Sequence, residues 1–382
     1  MEELLIPKSG DREVLVDLPT RTTPRYTQTV VGKKSELSAD LDEFRGIPYG
    51  QVSKRWEHSR LRTHLPQNSF DATKNGPISP RPSNDENTKY FQAYLPTPQL
   101  VESEFDCLNL IIVRPSTDAL SRTGMQENVK LPVLVWIHGG GGSQAGSDPF
   151  YDPGRLVLRS LEIGSPIIAV LLNFRNGIFG FMGSTDILNA QGKIGQQGLN
   201  FGLYDQKVAL TWVALNIAHF GGDPKNITLG GQSSGSFAVH VHLLDNDSPL
   251  KDPLFKRAIL QSGAQITLSP LPLEDLEPFW AQLCQHWDVG AKNSQQKVEV
   301  LRQIPTAAML EFLPNCKNVK LGPIADGLTM TMDAATFPDV DTGMGKKSSR
   351  HEPIEVMIGA TDIEVSFSHL MKHYLEPLLN KI

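Results

Sequence analysis

The chain has 382 residues, with 40% hydrophobic, 20% charged and 7% aromatic side chains and a formal net charge of −6. That is ordinary globular composition, so it excludes a disordered or collagen-like chain, and mild acidity with interspersed signs argues against nucleic acid as the partner. No apolar run reaches the roughly 18–20 residues of a membrane-spanning helix, and three cysteines are too few for a disulfide framework.

The N-terminus, Met1-Glu2-Glu3-Leu4-Leu5-Ile6-Pro7, has acids where a signal peptide carries Lys or Arg, which predicts a cytoplasmic protein. Residues 1–40 are polar and show no clear period. Pro77, Pro80, Pro82, Pro96 and Pro98 surround Asn84-Asp85-Glu86, a pattern read as an irregular surface loop. From Leu110 onward short apolar runs alternate with helical patterns. Val133–Ile137, Ile167–Leu172, Ile227–Leu229, Ala258–Leu260 and Ile354–Ile358 are continuous and rich in β-branched residues, as buried parallel strands are. Between the second and third, Leu210, Val213, Ile217 and Phe220 share one helical face over Asp205–Phe220. Asp205 is the expected N-cap and Gly221-Gly222 the stop. Residues 265–320 read as a helical insertion rather than a second domain. The alternation predicts one α/β domain over residues 1–382, with a mostly parallel central sheet and helices on both faces.

Gly231-Gln232-Ser233-Ser234-Gly235 follows the strand Ile227–Leu229 and precedes the helical pattern Phe237–Leu244. G-x-S-x-G in that setting is a nucleophile elbow, a tight turn that lifts the serine hydroxyl above the sheet. Outside it the same residues would be an ordinary Gly/Ser loop. His138-Gly139-Gly140-Gly141-Gly142 directly follows the strand Val133–Ile137. A glycine run there exposes backbone N–H groups that can stabilise an oxyanion. A flexible loop or a phosphate cradle are the competing readings, and the absent Lys-Ser/Thr signature argues against the latter. No metal motif or cofactor fingerprint is present.

In these motifs and their order the chain resembles the type-B carboxylesterases, the group that includes cholinesterases and certain fungal lipases. Phe44-Arg45-Gly46-Ile47-Pro48-Tyr49, Asp106-Cys107-Leu108-Asn109-Leu110, Asn173-Phe174-Arg175 through Gly180-Phe181, Phe220-Gly221-Gly222-Asp223-Pro224, Arg257 through Gly263, and Asp326-Gly327 match that family's segments in order around Ser233. The resemblance covers about residues 40–368. It implies the α/β-hydrolase fold and a serine ester hydrolase without cofactor. Ser233 would be the nucleophile, and the backbone N–H groups of Gly140, Gly141 and Ser234 the oxyanion hole. Glu364 would be the acid that orients a histidine, with Asp362 as its competitor.

The family's base lies far downstream of the acid. Here the stretch past Glu364 contains only His369 and His373, in a segment that reads as helical up to Pro377. His138 and His242 match structural positions, and none of the ten histidines is a satisfactory base. The resemblance therefore predicts a chain short at its C-terminus, lacking the last strand and closing helix, with an open sheet edge prone to aggregation. The family's glutamate before the nucleophile is Gln232 here, which predicts weak preference for cationic substrates. The commonly aromatic position after the glycine triplet is Gly142. Ser79 stands where the family has the disulfide partner of the cysteine at 107, which agrees with a reducing compartment. The expected substrates are small neutral hydrophobic or aromatic esters, in a setting of specialised metabolism. The rival reading is a non-catalytic binding protein on the same fold, since the family includes adhesion proteins that have lost catalytic residues.

Overall fold

The computed structural model describes residues 13–82, 98–125, 129–192, 197–245, 247–250, 252–264, 269–317, 319–331, 348–349 and 353–360. Among the described residues ten strands form the central sheet: β1 (Glu13–Pro19), β2 (Thr27–Lys34), β3 (Leu41–Pro48), β4 (Ser69–Asp71), β5 (Asn109–Pro115), β6 (Leu131–Ile137), β7 (Ile168–Leu172), β8 (Gly222–Gln232), β9 (Arg257–Gln261) and β10 (Glu355–Gly359). Their order is β1-β2-β3-β5-β7-β6-β8-β9-β10, with β4 alongside β2. The run β7-β6-β8-β9-β10 is parallel, and the strands from β1 to β7 pair antiparallel along the order. This is the mixed, mostly parallel sheet of the α/β-hydrolase fold. All five apolar runs singled out in the sequence are strands of its parallel part. Val133, Val135, Ile168, Val170, Ile227, Leu229, Ala258 and Leu260 are all fully buried there.

The parallel strands are connected through α1 (Gly154–Glu162), α2 (Phe201–Asn216) and α3 (Ser234–Leu244). Leu210, Val213, Ile217 and Phe220 are buried as their spacing predicts, and the turn ends at Gly221 with φ +88°. The start of α2 differs from the expectation. It begins four residues before Asp205, with Asn200 in the left-handed region as its N-cap. Asp205 is fully buried inside the helix, where its carboxylate takes Arg175 Nε at 2.8 Å and Nη2 at 2.7 Å. A long-range cation claims the carboxylate, and local capping loses.

The N-terminal residues expected to lack a period include the β1–β2 hairpin. Two side chains hide its alternation. Leu15 points out at 63% exposure, and the inward Gln28 is buried, its amide donating to the carbonyls of Leu65 and Gln67. Within 265–320, α4 (Glu277–His286), α5 (Ser294–Arg302) and α6 (Thr306–Phe312) share a core with Trp56, Ile178, Phe179, Leu199 and Phe201. Among the described residues β10 ends the strand order, and its Val356, Met357 and Ile358 are 51%, 67% and 67% exposed.

Candidate active site

Three parallel strands end at one level. Gly231 of β8 sits in register with Ile137 of β6 and Leu260 of β9. The glycine run, the serine elbow and the Ser262-Gly263 turn therefore leave the same end of the sheet, where open α/β sheets build their sites.

Ser233 joins β8 to α3 with φ +54° and ψ −124°, a backbone that a side-chain-bearing residue adopts only at a cost. The neighbours hold it there. Its N–H donates to Gln261 O at 2.9 Å, and its carbonyl accepts Phe237 N–H at 3.0 Å as the cap of α3. The motif glycines are demanded by space. A methyl on Gly231 would lie 2.5 Å from the backbone of Gly235, and one on Gly235 would strike the carbonyls of Ile137 and His138.

The glycine run abuts this elbow. A methyl on Gly139 would lie 2.6 Å from Gln232 O and 3.2 Å from Ser233 Cβ. Gly140, Gly141 and Gly142 have φ of +89°, +59° and +87°, so the loop needs residues without a Cβ. Gly139 N–H donates to Tyr151 Oη at 3.0 Å, and that hydroxyl donates to Gln144 Oε1 at 2.6 Å. Arg81 clamps the far end, with Nη1 on Ser143 O at 3.1 Å and both Nη atoms on the Asp148 carboxylate. Gly141 N–H donates to Ser234 Oγ at 3.2 Å.

A cavity of about 190 Å³ opens beside these elements, walled by Phe174, Phe181, Leu203, Phe237, Leu321 and Pro323, with Gly141, Gly142 and Ser234 at its rim. Among the described residues its lining includes no Asp, Glu, Lys or Arg. Asn176 also lines it, held by its N–H donating to Ser79 Oγ at 2.9 Å. Tyr151, Gln144 and Ser79 shape the site, and no motif or spacing announces those roles. Their partners are distant in the chain or sit in a loop without period.

The described histidines near the site have weakened basicity. His138 stacks on Phe174 at 4.5 Å, pairs Nδ1 with Gly139 O at 3.0 Å, and burial pushes its pKa down to about 4. His242 is buried in α3 against Gln206 Oε1 at 2.9 Å, and burial lowers its pKa to about 3. A general base works best with a pKa near the working pH, so neither ring is suited to that task. Cys107 is buried and burial pushes its thiol pKa up. Asp362, Glu364, His369 and His373 lie beyond β10, outside the described residues. Among the described residues no cluster of His, Cys, Asp and Glu is arranged to hold a metal, and no helix is long and apolar enough to cross a membrane.

The sequence profile described as "Carboxylesterase family" matches residues 19–376. Lipase 2 of Diutina rugosa is 39% identical over 276 residues, which is 71% of this chain and 46% of the lipase. A protein of Byssochlamys spectabilis named "Inactive carboxylesterase-like protein VdtD" is 34% identical over 349 residues, 87% of this chain and 55% of that one. The crystal structure of the Geobacillus stearothermophilus carboxylesterase EST55 superposes with a TM-score of 0.66 at 27% identity, covering 96% of this chain and 66% of that one. The chain thus spans about half the length of the curated relatives it matches.

Proposed function

Given that this chain belongs to the carboxylesterase family, we propose that it is a serine ester hydrolase working through an acyl-enzyme on Ser233. The observation that carries the reading is the strained serine elbow abutting a glycine run beside an apolar cavity. In this scheme Ser233 Oγ attacks the ester carbonyl and its proton passes to a base. The backbone N–H groups of Gly140, Gly141 and Ser234 hold the oxygen that becomes negative, where fixed donors lower the barrier most. The positive end of α3 adds to the same stabilisation. Glu364 is the proposed acid and Asp362 its alternative. The apolar, uncharged lining supports small neutral hydrophobic or aromatic esters as substrates, with specialised metabolism as the setting. Cytoplasmic residence is part of the proposal, supported by three cysteines in the thiol form.

A fluorophosphonate probe tests the reading. It should label the protein, and Ser233→Ala should abolish labelling; equal labelling of both proteins would refute the nucleophile. Turnover of a short-chain nitrophenyl ester, lost with Ser233→Ala, would establish hydrolysis. A non-catalytic binding role is the second reading. It is favoured by the relative named inactive and by the suppressed basicity of His138 and His242. Labelling without ester turnover is the result that would select it.

A further inference from the structure

Gly141 N–H is one of the donors on which the proposed hydrolase relies, and it is already engaged. It donates to the side chain of Ser234 at 3.2 Å. Ser234 is the first residue of α3, so a regular element carries its hydroxyl. Its own backbone N–H is another of the proposed donors. One residue thus offers the oxyanion a donor through its backbone and occupies a second donor through its side chain.

The peptide that carries this N–H is braced on its other side, where the Gly140 carbonyl accepts the Ser143 N–H at 3.1 Å and the Ser143 hydroxyl at 2.8 Å. Gly141 is exposed, and a methyl placed on it would meet no atom within 4 Å. Its N–H is therefore presented by a braced peptide to open space, where it serves whichever acceptor is strongest. In the resting protein that acceptor is a neutral hydroxyl; during acyl transfer it is an oxyanion, which forms the stronger, charge-assisted bond. The exchange runs toward the oxyanion, but the bond to Ser234 has to be given up first.

We propose that the Ser234 hydroxyl is a built-in competitor for the oxyanion hole, holding Gly141 N–H until the reacting oxygen displaces it. The inference rests on the serine-hydrolase reading. It makes Ser234 a positioning residue through its side chain, acting on the reaction through Gly141. A neutral hydrogen bond of this kind has a small net worth, which corresponds to a change of roughly two- to ten-fold in rate.

The test is the second-order rate of phosphonylation by a fluorophosphonate. That reaction forms an oxyanion-like centre on Ser233 and needs no later deacylation. Ser234→Ala removes the competitor, and Ala is well tolerated in a helix. It should react about two- to ten-fold faster than the wild type. Ser234→Thr puts a hydroxyl back and should bring the rate below that of the Ala variant. In amide NMR spectra the Gly141 proton should move upfield in Ser234→Ala, because its acceptor is gone. An Ala variant no faster than the wild type, or a Thr variant as fast as Ala, would overturn the competition. So would an unmoved Gly141 resonance. Labelling of Ser233→Ala at the wild-type rate would instead overturn the serine-hydrolase reading itself, and the amide shift needs no reaction to be read.

Discussion

Replacing Ser233 by Gly and by Ala separates strain from chemistry at the elbow. At φ +54° and ψ −124° a residue with a Cβ is held in a sparsely populated region, at about 1–3 kcal/mol. Glycine reaches the same backbone freely, but in the unfolded chain it has more freedom to lose, roughly 0.5–1 kcal/mol relative to Ala. The backbone bonds from Ser233 N–H to Gln261 and from Phe237 N–H to Ser233 survive both substitutions. The strain is the larger quantity, so Ser233→Gly should be more stable than Ser233→Ala by about 1 kcal/mol, the reverse of the usual order. With an unfolding entropy of about 2.1 cal/mol/K per residue, a chain of 382 residues shifts by roughly 1 °C in Tm for each kcal/mol. Urea titrations of the two variants are accordingly the sharper assay, read as the difference in midpoint. Neither variant should take the fluorophosphonate label. A Gly variant less stable than the Ala variant by the ordinary glycine penalty would refute the strained elbow.

Further outcomes follow from other parts of the structure. Asp205→Ala leaves the buried guanidinium of Arg175 without its carboxylate and should cost about 3–5 kcal/mol in urea unfolding; a loss below 1 kcal/mol would show that the pair does not hold the site wall. Gly235→Ala forces a methyl against the carbonyls of Ile137 and His138 and should destabilise by about 1–3 kcal/mol with loss of labelling; normal labelling would refute the close packing of elbow on strand. His138 and His242 have pKa values lowered by burial from 6.5 to about 4 and about 3. The unfolded chain then binds more protons than the folded one between those limits. Stability should be complete above pH 6.5 and fall as the pH drops toward 4, and a flat urea midpoint across that window would contradict it. Finally, Gln232 and the uncharged cavity lining predict that a neutral ester outperforms its choline isostere. The opposite ranking of kcat/KM would refute this.

Much of this architecture is legible in the sequence because the central parallel strands are rich in buried apolar residues, whereas the run at β10 is recognised from the same pattern although its side chains are exposed. Val133–Ile137 and Ile168–Leu172 need no partner to be recognised, since continuous β-branched runs have few other uses. The elbow is legible for a related reason. Gly231 and Gly235 are forced by contacts with the adjoining backbone, so motif and geometry coincide. Misreadings begin where a polar side chain answers to something far along the chain. Asp205 looks like a helix cap because its bond to Arg175 spans thirty residues. Gln28 breaks an alternation because its partners, Leu65 and Gln67, lie on another segment. Tyr151 and Gln144 brace the glycine run through single hydrogen bonds that no spacing encodes. Glu364 rests on resemblance alone and lies outside the described residues.

The bond between Ser79 and Asn176 changes what kind of wall the cavity has. Where the resembling enzymes place a cysteine, the Ser79 hydroxyl accepts the N–H of Asn176, a residue of the cavity lining. A disulfide is permanent until reduced, whereas a neutral hydrogen bond worth about 1 kcal/mol breaks and reforms under thermal motion. The contact between Ser79 and the cavity lining is thus one that is indifferent to glutathione. Ser79→Ala would loosen that side of the cavity while leaving the elbow untouched. It offers a way to vary the breathing of the site independently of its chemistry.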